Sequence, residues 1–232
     1  MSIQLYDLAC RDQRVFFSPY CWRTRMALRH KGLAFESIPW HFTDKEQIAR
    51  TGEGRVPVIV DDGNWVHDSW RIAEYLDEKY PQQPALMADA AARATAKFVD
   101  GWCTATVFPP LRPICVAHVF AIVADKDKTY FRESREKPLG VKLEEVSTDP
   151  EAERAVLIKA LRPFEEMLAV APYFGGEDPS YADYILFGTL MWPYTVCPEM
   201  PLAQGSRVAG WFDRLLDLNA AYARTSGARA HG

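Results

Sequence analysis

Cysteine is scarce in this chain of 232 residues, and the spacing of the few that are present argues against two kinds of site. The cysteines are odd in number, and no two of them have Cys-x-x-Cys spacing. They are Cys10, Cys21, Cys103, Cys115 and Cys197. This pattern argues against a disulfide framework and against a zinc site. We therefore expect no metal, and a reducing compartment such as the cytoplasm.

Long apolar runs and charge of a single sign are also lacking. We find no stretch of about 18 apolar residues, so we expect no membrane span. Charged residues between Asp7 and Arg14 interrupt the first twenty positions, which excludes the apolar core of a signal peptide. The chain has 27 basic and 31 acidic residues, intermixed along its length, and a net charge of −4. Nothing in this balance indicates nucleic-acid binding.

The first eighty residues alternate between strand and helix signals. Apolar and polar side chains alternate in Ile3–Leu8, and a helical stripe follows after Pro19. Asp62-Gly63 is a strong hairpin signal between two short apolar runs. The predicted elements, in order, are strand 3–8, helix 19–31, strand 34–40, short helix 43–50, strands 58–60 and 64–67, and helix 69–80. This βαβα order followed by a hairpin and a helix is the thioredoxin-like arrangement.

Strand signals stop after residue 80, and the remainder favours helices. Two prolines and two glutamines at positions 81–84 indicate a linker. We therefore divide the chain into a thioredoxin-like domain (1–80), a linker (81–88) and an all-helical domain (89–232). Prolines are expected to kink or break the helices near residues 109–113 and at Pro163. Ser180 opens a capping box with Asp183, a final helix spans 208–218, and the tail after Tyr222 is expected to fray.

The segment Ser18-Pro19-Tyr20-Cys21 carries the most chemical information. Serine is a favoured N-cap, and proline is favoured at the first helical position. The N-terminus of a helix stabilises a thiolate or carboxylate without a metal. The segment has the form of a Cys-Pro-Tyr-Cys dithiol site whose first cysteine is serine. It could therefore hold a sulfur brought by a small molecule, although an ordinary capped helix has the same pattern.

Four patterns, in order along nearly the whole chain, resemble the cytosolic glutathione transferases. They are Ser18-Pro19-Tyr20-Cys21, Arg55-Val56-Pro57-Val58, Asp68-Ser69, and Gly176 followed by Ser180-Tyr181-Ala182-Asp183. Two longer stretches, 18–25 and 56–80, resemble the lignin β-etherases of bacteria and related fungal transferases. The resemblance implies glutathione as co-substrate, a homodimer, and attack of the glutathione thiolate on an aromatic electrophile such as a β-aryl ether.

The same resemblance implies where glutathione binds. Val56, before a cis Pro57, would pair with the cysteinyl part of the tripeptide through its backbone. Ser69 and the N–H groups of its helix suit the γ-glutamyl carboxylate, and Asp68 could pair with the ammonium group. Arg55 and Trp40 are weaker candidates, as is His41. A capped helix or a plain strand start would look the same at these positions.

Ser18 would then face the sulfur and lower its pKa from about 8.5 by one to two units. An apolar and aromatic pocket would hold the second substrate, and our candidates for its walls are Phe16, Phe17, Tyr20, Trp102 and Phe108. Two other functions remain open: a glutathione-dependent redox enzyme, which usually needs cysteine at position 18, and a non-catalytic carrier of hydrophobic aromatics. Cys21 is interpreted as a small packing residue rather than a resolving thiol.

Overall fold

The computed structural model describes residues 2–226, and its N-terminal half is built on a four-stranded sheet. The strands are β1 (Ile3–Leu8), β2 (Phe35–Trp40), β3 (Val58–Asp61) and β4 (Asn64–His67). They lie in the order β2-β1-β3-β4, with β2 parallel to β1. β3 runs antiparallel to β1, and β4 antiparallel to β3. Asp62 and Gly63 have positive φ at the β3–β4 turn, as the Asp-Gly signal predicts.

Two helices, α1 (Pro19–His30) and α2 (Ser69–Lys79), pack together beside this sheet, and Lys45–Thr51 is a 3-10 helix. The predicted stripe of α1 is confirmed, because Trp22, Met26 and Ala27 are fully buried. Its other faces are buried too, including Arg23 and Arg25. The reason lies in the second half of the chain, where another helix covers the face of α1 that would otherwise meet solvent.

The C-terminal half of the described chain is helical. Its helices are α3 (Ala90–Trp102), α4 (Phe108–Ile122), α5 (Lys128–Leu139), α6 (Pro150–Ala160), α7 (Arg162–Met167), α8 (Tyr181–Val196) and α9 (Arg207–Ser226). The central helix is α8, which packs against α1, α3 and α4. The thioredoxin-like fold followed by helices is thus confirmed.

The prolines at positions 109–113 do not end the helical course from Ala90 to Ile122, and Pro113 lies inside α4. A π-helical turn, Cys103–Val107, joins α3 to α4, and Pro109 and Pro110 lie in the first turn of α4, where proline is tolerated. By length and composition Ala90–Ile122 could cross a membrane, contrary to our expectation that the described chain has no such stretch. Because α4 packs against α6 and α8, its apolar side chains contribute to the core of the helical half.

The predicted capping box at the start of α8 is confirmed. The Asp183 carboxylate accepts hydrogen bonds from the backbone N–H of Ser180 at 2.8 Å and of Phe174 at 2.9 Å, and from the Trp211 indole at 2.9 Å. Burial raises the pKa of the Asp183 carboxyl, and these hydrogen bonds oppose the rise. One fully buried carboxylate thereby joins the start of α8 to the loop before it and to α9.

Two sequence predictions at the C-terminal end are confirmed, and one differs. The helix breaks at Pro163 as predicted: α6 ends at Ala160, and Pro163 lies in the first turn of α7, where its missing N–H costs nothing. The predicted final helix, 208–218, also ends as expected, because Leu218 leaves the helical conformation and residues 219–221 have positive φ. The chain then resumes a helical course to Ser226, whereas we expected fraying after Tyr222. Residues 227–232 lie outside the described residues.

The segment between the two halves is held by one carboxylate of α2. Asp77 accepts hydrogen bonds from the backbone N–H groups of Leu86 and Met87, each at 2.9 Å, and forms an ion pair with Lys31 at 2.6 Å. Lys31 is almost fully buried, and it also donates to the Tyr80 carbonyl at 3.2 Å. Asp77 and Lys31 therefore attach both ends of the connecting segment to the N-terminal half.

Candidate active site

The strand directions bring the predicted site segments to one edge of the sheet. Because β1, β2 and β4 run the same way and β3 runs against them, three strands end where β3 begins. Ser18 follows β1, Trp40 ends β2, Val56 precedes β3, and Asp68 follows β4. Residues that are up to fifty positions apart in the sequence therefore lie along a single edge.

Ser18 is the N-cap of α1, with Pro19 in the first helical position, as the sequence predicts. Its hydroxyl oxygen accepts the backbone N–H of Cys21 at 3.3 Å. The side chain is largely buried, with 5% exposure. This arrangement sets a hydroxyl beside the positive end of the α1 dipole, where it can donate to an anion.

The Cys21 thiol lies behind Ser18 and is fully buried. Burial and the neighbouring Asp7 carboxylate raise the pKa of Cys21 well above its ordinary value. Burial also raises the pKa of Asp7, although Arg25 pairs with it at 2.5 Å. A neutral thiol enclosed in the core supports the interpretation of Cys21 as a packing residue.

The edge at β3 has the shape that the resemblance implies. The Val56–Pro57 peptide bond is cis. Pro57 is buried, Val56 is half-buried and Arg55 is exposed. Val56 thus carries its backbone groups at the rim of the sheet, next to an exposed guanidinium.

Helix α2 begins at this edge with two polar residues in different roles. Asp68 caps the helix: its Oδ1 accepts the backbone N–H of Trp70 at 3.0 Å and of Arg71 at 3.1 Å. Its Oδ2 has no hydrogen-bond partner among residues 2–226. The Ser69 carbonyl accepts the Tyr181 hydroxyl at 2.6 Å, and the Ser69 side chain also hydrogen-bonds with that hydroxyl. A carboxylate oxygen and a hydroxyl therefore lie side by side at the start of α2.

Trp40 and His41 are held more tightly than the sequence suggested. Trp40 is 2% exposed, and its indole N–H donates to the Asp44 carbonyl at 2.8 Å. The His41 ring contacts the Asp44 carboxylate at 3.0 Å. Both side chains therefore support the loop after β2, and the Trp40 indole N–H already has an acceptor.

Two of the predicted pocket residues lie against each other. The Tyr20 and Phe108 rings are stacked with centroids 5.9 Å apart, and Trp192 lies 6.2 Å from Phe108. Tyr20 is 40% exposed, so this aromatic surface is open to solvent on one side. It starts two residues from Ser18 and continues onto α4 and α8.

The other predicted pocket residues lie elsewhere. Phe17 is buried, and its ring packs against that of Phe42 with centroids 6.3 Å apart. The Trp102 indole N–H donates to the Ala160 carbonyl at 2.9 Å, which ties that ring to the end of α6. Phe16 is buried, and its ring faces the Arg25 guanidinium at 4.3 Å. The structure therefore groups Tyr20 with Phe108 and does not bring Trp102 to them.

Phe42 and Asp127 were not anticipated from the sequence. The buried Asp127 carboxylate accepts the backbone N–H groups of Phe42 and Thr43, each at 3.0 Å, and the Thr43 hydroxyl at 2.7 Å. It thereby holds the loop after β2 against the helical half. A contact that spans 85 positions leaves no local pattern in the sequence.

A cavity of about 980 Å³ lies between the loop 10–16, α1, β2 and the ends of α4 and α9, and Phe16 is the predicted pocket residue that lines it. Neither Ser18 nor Ser69 lines it. Within residues 2–226, no group of three or more His, Cys, Asp or Glu side chains could hold a metal ion.

Comparisons with known proteins agree with this geometry. The model of the glutathione S-transferase N-terminal domain matches residues 17–79, and that of the C-terminal domain matches residues 94–217. Glutathione S-transferase U22 of Arabidopsis thaliana is 25% identical over 82% of this chain and 79% of its own length. A probable glutathione S-transferase, GSTU6, of Oryza sativa subsp. japonica is 29% identical over 77% of this chain and 70% of its own.

Solved structures of fungal transferases have the same fold. GSTFuA3 of Phanerochaete chrysosporium superimposes with a TM-score of 0.77 at 25% identity, covering 98% of this chain and 95% of that one. CsGST83044 of Ceriporiopsis subvermispora, solved in complex with glutathione, has a TM-score of 0.77 at 25% identity, covering 97% and 96%. Since the C-terminal domain model alone matches more than half of its residues, this chain belongs to the glutathione S-transferase family.

Proposed function

We propose that this chain activates glutathione as a thiolate beside Ser18 and transfers it to an aromatic electrophile. The observation that carries the proposal is the single sheet edge that Ser18, Val56, Asp68 and Ser69 share. From β1 to β4 are two strand spacings, or about 10 Å. An extended tripeptide has a similar reach, also about 10 Å. Glutathione could therefore place its thiol at Ser18 and its γ-glutamyl end at Ser69.

Each group of the tripeptide finds a complementary partner along this edge. The cysteinyl backbone pairs with Val56. The γ-glutamyl carboxylate accepts hydrogen bonds from the Ser69 hydroxyl and from the N–H groups at the start of α2. The ammonium group pairs with Asp68 Oδ2. Asp68 Oδ2 has no hydrogen-bond partner within residues 2–226, and Ser69 follows it as the first residue of α2. Arg55, exposed beside Val56, suits the glycyl carboxylate by charge.

Ser18 stabilises the thiolate by donating a hydrogen bond, and the α1 dipole adds to this effect. The thiolate then attacks a carbon of the second substrate, which lies on the Tyr20–Phe108 surface. A carbon–sulfur bond forms as the bond to an aryloxide or a similar leaving group breaks. The resemblance to β-etherases favours a β-aryl ether bearing a ketone, which activates the attacked carbon. A homodimer and a cytoplasmic location stay predictions of the same resemblance.

A redox function has less support than transfer. Such chemistry needs an accessible thiolate, whereas Cys21, the neighbouring thiol, is fully buried and has a raised pKa. The carrier hypothesis predicts glutathione binding without turnover. A measurement of turnover therefore separates it from our proposal.

The test combines calorimetry with turnover. The wild-type protein should bind glutathione, and Ser69→Ala should weaken binding by about 1.5–3 kcal/mol, the contribution of a hydrogen bond to a charged group. The wild type should also conjugate a chromogenic aryl halide and release the phenol from a β-aryl ether ketone. Turnover of the halide but not of the ether would show that the protein is a transferase without etherase activity. Binding without any turnover would favour the carrier.

A further inference from the structure

Two arginines of the helical half, Arg112 on α4 and Arg135 on α5, lie near each other, and Arg135 lies near Arg55, the residue before Val56 on the sheet edge. None of the three forms an ion pair with a carboxylate in the part of the chain that the structure describes. The sequence analysis identified neither Arg112 nor Arg135, because they are 57 and 80 positions from Arg55 and follow no motif.

Arg135 is positioned by aromatic rings rather than by an acid. Its guanidinium lies 5.6 Å from the centroid of Phe42 and 4.9 Å from that of Phe131. Phe42 contacts Phe17, the residue before Ser18, with centroids 6.3 Å apart. The only hydrogen bond of Arg135 in residues 2–226 goes to the neighbouring Ser134 hydroxyl at 2.9 Å. The guanidinium therefore borders the site and keeps most of its donors free.

Arg112 belongs to a different helix of the same half. It lies on α4 one turn after Phe108, whose ring stacks on Tyr20. Its side chain is exposed. Burial lowers the pKa of Arg135, Tyr130 opposes this change, and the nearby positive charges of Arg112 and Arg55 lower the pKa further. The aromatic surface on which the second substrate would lie is thus bordered by cations.

Like charges without counter-charges are unfavourable, and this chain pairs comparable arginines elsewhere. Arg132, also on α5, forms ion pairs with Glu136 and Glu144 at 2.5 and 2.7 Å. Arg23, on α1, pairs with Asp100 at 2.7 Å. An anion is the ligand that would offset the repulsion at the mouth, since guanidinium groups bind carboxylates in bidentate geometry.

We propose that Arg112 and Arg135 bind an anionic group, a carboxylate or phenolate, on an aromatic second substrate. The substrate ring lies on Tyr20 and Phe108, and its negative charge lies between the two arginines. This inference rests on the proposed transfer function and adds to it a preference for charged over neutral aromatic electrophiles. Arg55 remains assigned to the glycyl carboxylate of glutathione.

A matched pair of substrates tests the preference. In 4-chloro-3-nitrobenzoate and its methyl ester the reacting carbon is the same, and the ester lacks the negative charge. The ester group also withdraws electrons more strongly than the carboxylate, so the uncatalysed rates differ. In both, the glutathione thiolate forms a carbon–sulfur bond, chloride leaves with the electron pair of the broken bond, and the thiol proton passes to solvent. After correction for the uncatalysed rates, the wild type should have the higher kcat/KM for the benzoate.

The variants Arg135→Met and Arg112→Met should reduce this preference by about tenfold to a hundredfold each, the range for loss of a hydrogen bond to a charged group. Turnover of the methyl ester and KM for glutathione should hardly change. Arg135→Lys keeps the charge and should restore part of the preference. Arg132→Met is the matched control on the same helix, and it should leave the benzoate preference at the wild-type value.

Three results would overturn the inference. The first is equal turnover of the ester and the benzoate by the wild type. The second is a loss of preference in the control Arg132→Met as large as that in Arg135→Met. The third is a KM for glutathione that rises equally with both substrates in the Arg112 and Arg135 variants, which would assign these arginines to a carboxylate of glutathione instead.

Binding separates this inference from the proposed function. Calorimetry of the glutathione-loaded protein with unreactive 3-nitrobenzoate and its methyl ester needs no turnover. Tighter binding of the benzoate, lost in Arg135→Met, would support the anion site even if no substrate were converted. Equal binding of the two would contradict the anion site even if conjugation were observed.

Discussion

Gly188 of α8 lies directly against the Pro19 carbonyl at the start of α1. A Cβ atom at position 188 would overlap that oxygen and would lie 2.9 Å from Arg23 Cγ and 3.1 Å from Arg23 N. Only glycine permits so close an approach of the two backbones. The helical half therefore sets the position of the first turn of α1, and Ser18 is the cap of that turn.

Gly188→Ala should displace the start of α1 and lower activity more than a loss of stability alone would explain. We expect a destabilisation of about 1–3 kcal/mol, the usual cost of overpacking. Transfer activity should fall at least about tenfold at a temperature where the variant is folded, because misplacement by about 1 Å is costly in an active site. Denaturation curves and turnover measure the two effects.

Gly101→Ala is the matched control, since a Cβ at that helical position meets nothing within 4 Å. It should leave activity intact and stabilise the fold by about 0.5–1 kcal/mol. Full activity in Gly188→Ala would show that the contact does not position Ser18.

Ser18→Ala should lower the transfer rate by roughly ten- to a thousandfold, the loss of one transition-state hydrogen bond. Glutathione affinity should stay nearly intact. Loss of the N-cap should also cost about 0.5–2 kcal/mol of stability, so activity must be measured well below the melting temperature. A pH profile of the rate checks the role: the apparent pKa of bound glutathione should rise in the variant. An unchanged profile would remove Ser18 from the chemistry.

Ser18→Cys should convert the site from transfer towards thiol exchange. A cysteine at a helix N-terminus has a lowered pKa, and its thiolate would repel the thiolate of glutathione. After treatment with oxidised glutathione, mass spectrometry should show one added glutathione at position 18 of the variant. No addition would mean that position 18 does not face the sulfur. Cys21 should stay unmodified in the same experiment, because it is fully buried.

Tyr181→Phe should weaken glutathione binding although Tyr181 lies in the helical half. Its hydroxyl donates to the Ser69 carbonyl at 2.6 Å and thereby positions the first turn of α2. We expect KM for glutathione to rise about threefold to tenfold, corresponding to roughly 0.5–1.5 kcal/mol, while kcat changes little. A fall in kcat with unchanged KM would contradict a positioning role. Tyr184→Phe, on the same helix but bonded to His30, provides the control.

His30 should make the fold less stable in mild acid. Its ring contacts the Tyr184 hydroxyl at 2.8 Å and the Ala85 carbonyl at 3.2 Å. Burial and the nearby Lys31 charge lower the pKa of His30 below 6.5, opposed by the Ala85 carbonyl and by Asp77 and Asp178. The unfolded chain therefore binds this proton more tightly than the folded one. Stability should be fully present above about pH 6.5 and decrease as pH falls through the lowered value.

Chemical denaturation between about pH 5 and 8 measures this dependence. His30→Gln should flatten the curve on its acid side. If the stability of His30→Gln decreased equally steeply at acid pH, groups other than His30 would be responsible for the decrease.

The local signals in the sequence predicted the site segments well. Asp62-Gly63 marked the hairpin turn, Ser18-Pro19 marked the start of α1, and the Ser180–Asp183 pair marked the start of α8. Each of these features is decided within four residues by the backbone freedom or hydrogen-bonding capacity of the residues themselves. Periodicity predicted the apolar stripe of α1 but not the burial of Arg23 and Arg25, because α8 covers the face of α1 that would otherwise meet solvent.

The sequence by itself therefore determined which helices and strands form in the first eighty residues, where the capped ends of α1 and α8 lie, and that a hydroxyl stands at position 18. Only the tertiary structure decided which groups meet. Strand order placed Val56 and Ser69 on the edge of Ser18, Gly188 admitted the close approach to Pro19, and Arg112 was brought near Arg135. Capping and turn formation depend on neighbours in the chain, whereas these contacts arise when the packing of distant helices and strands buries their apolar faces.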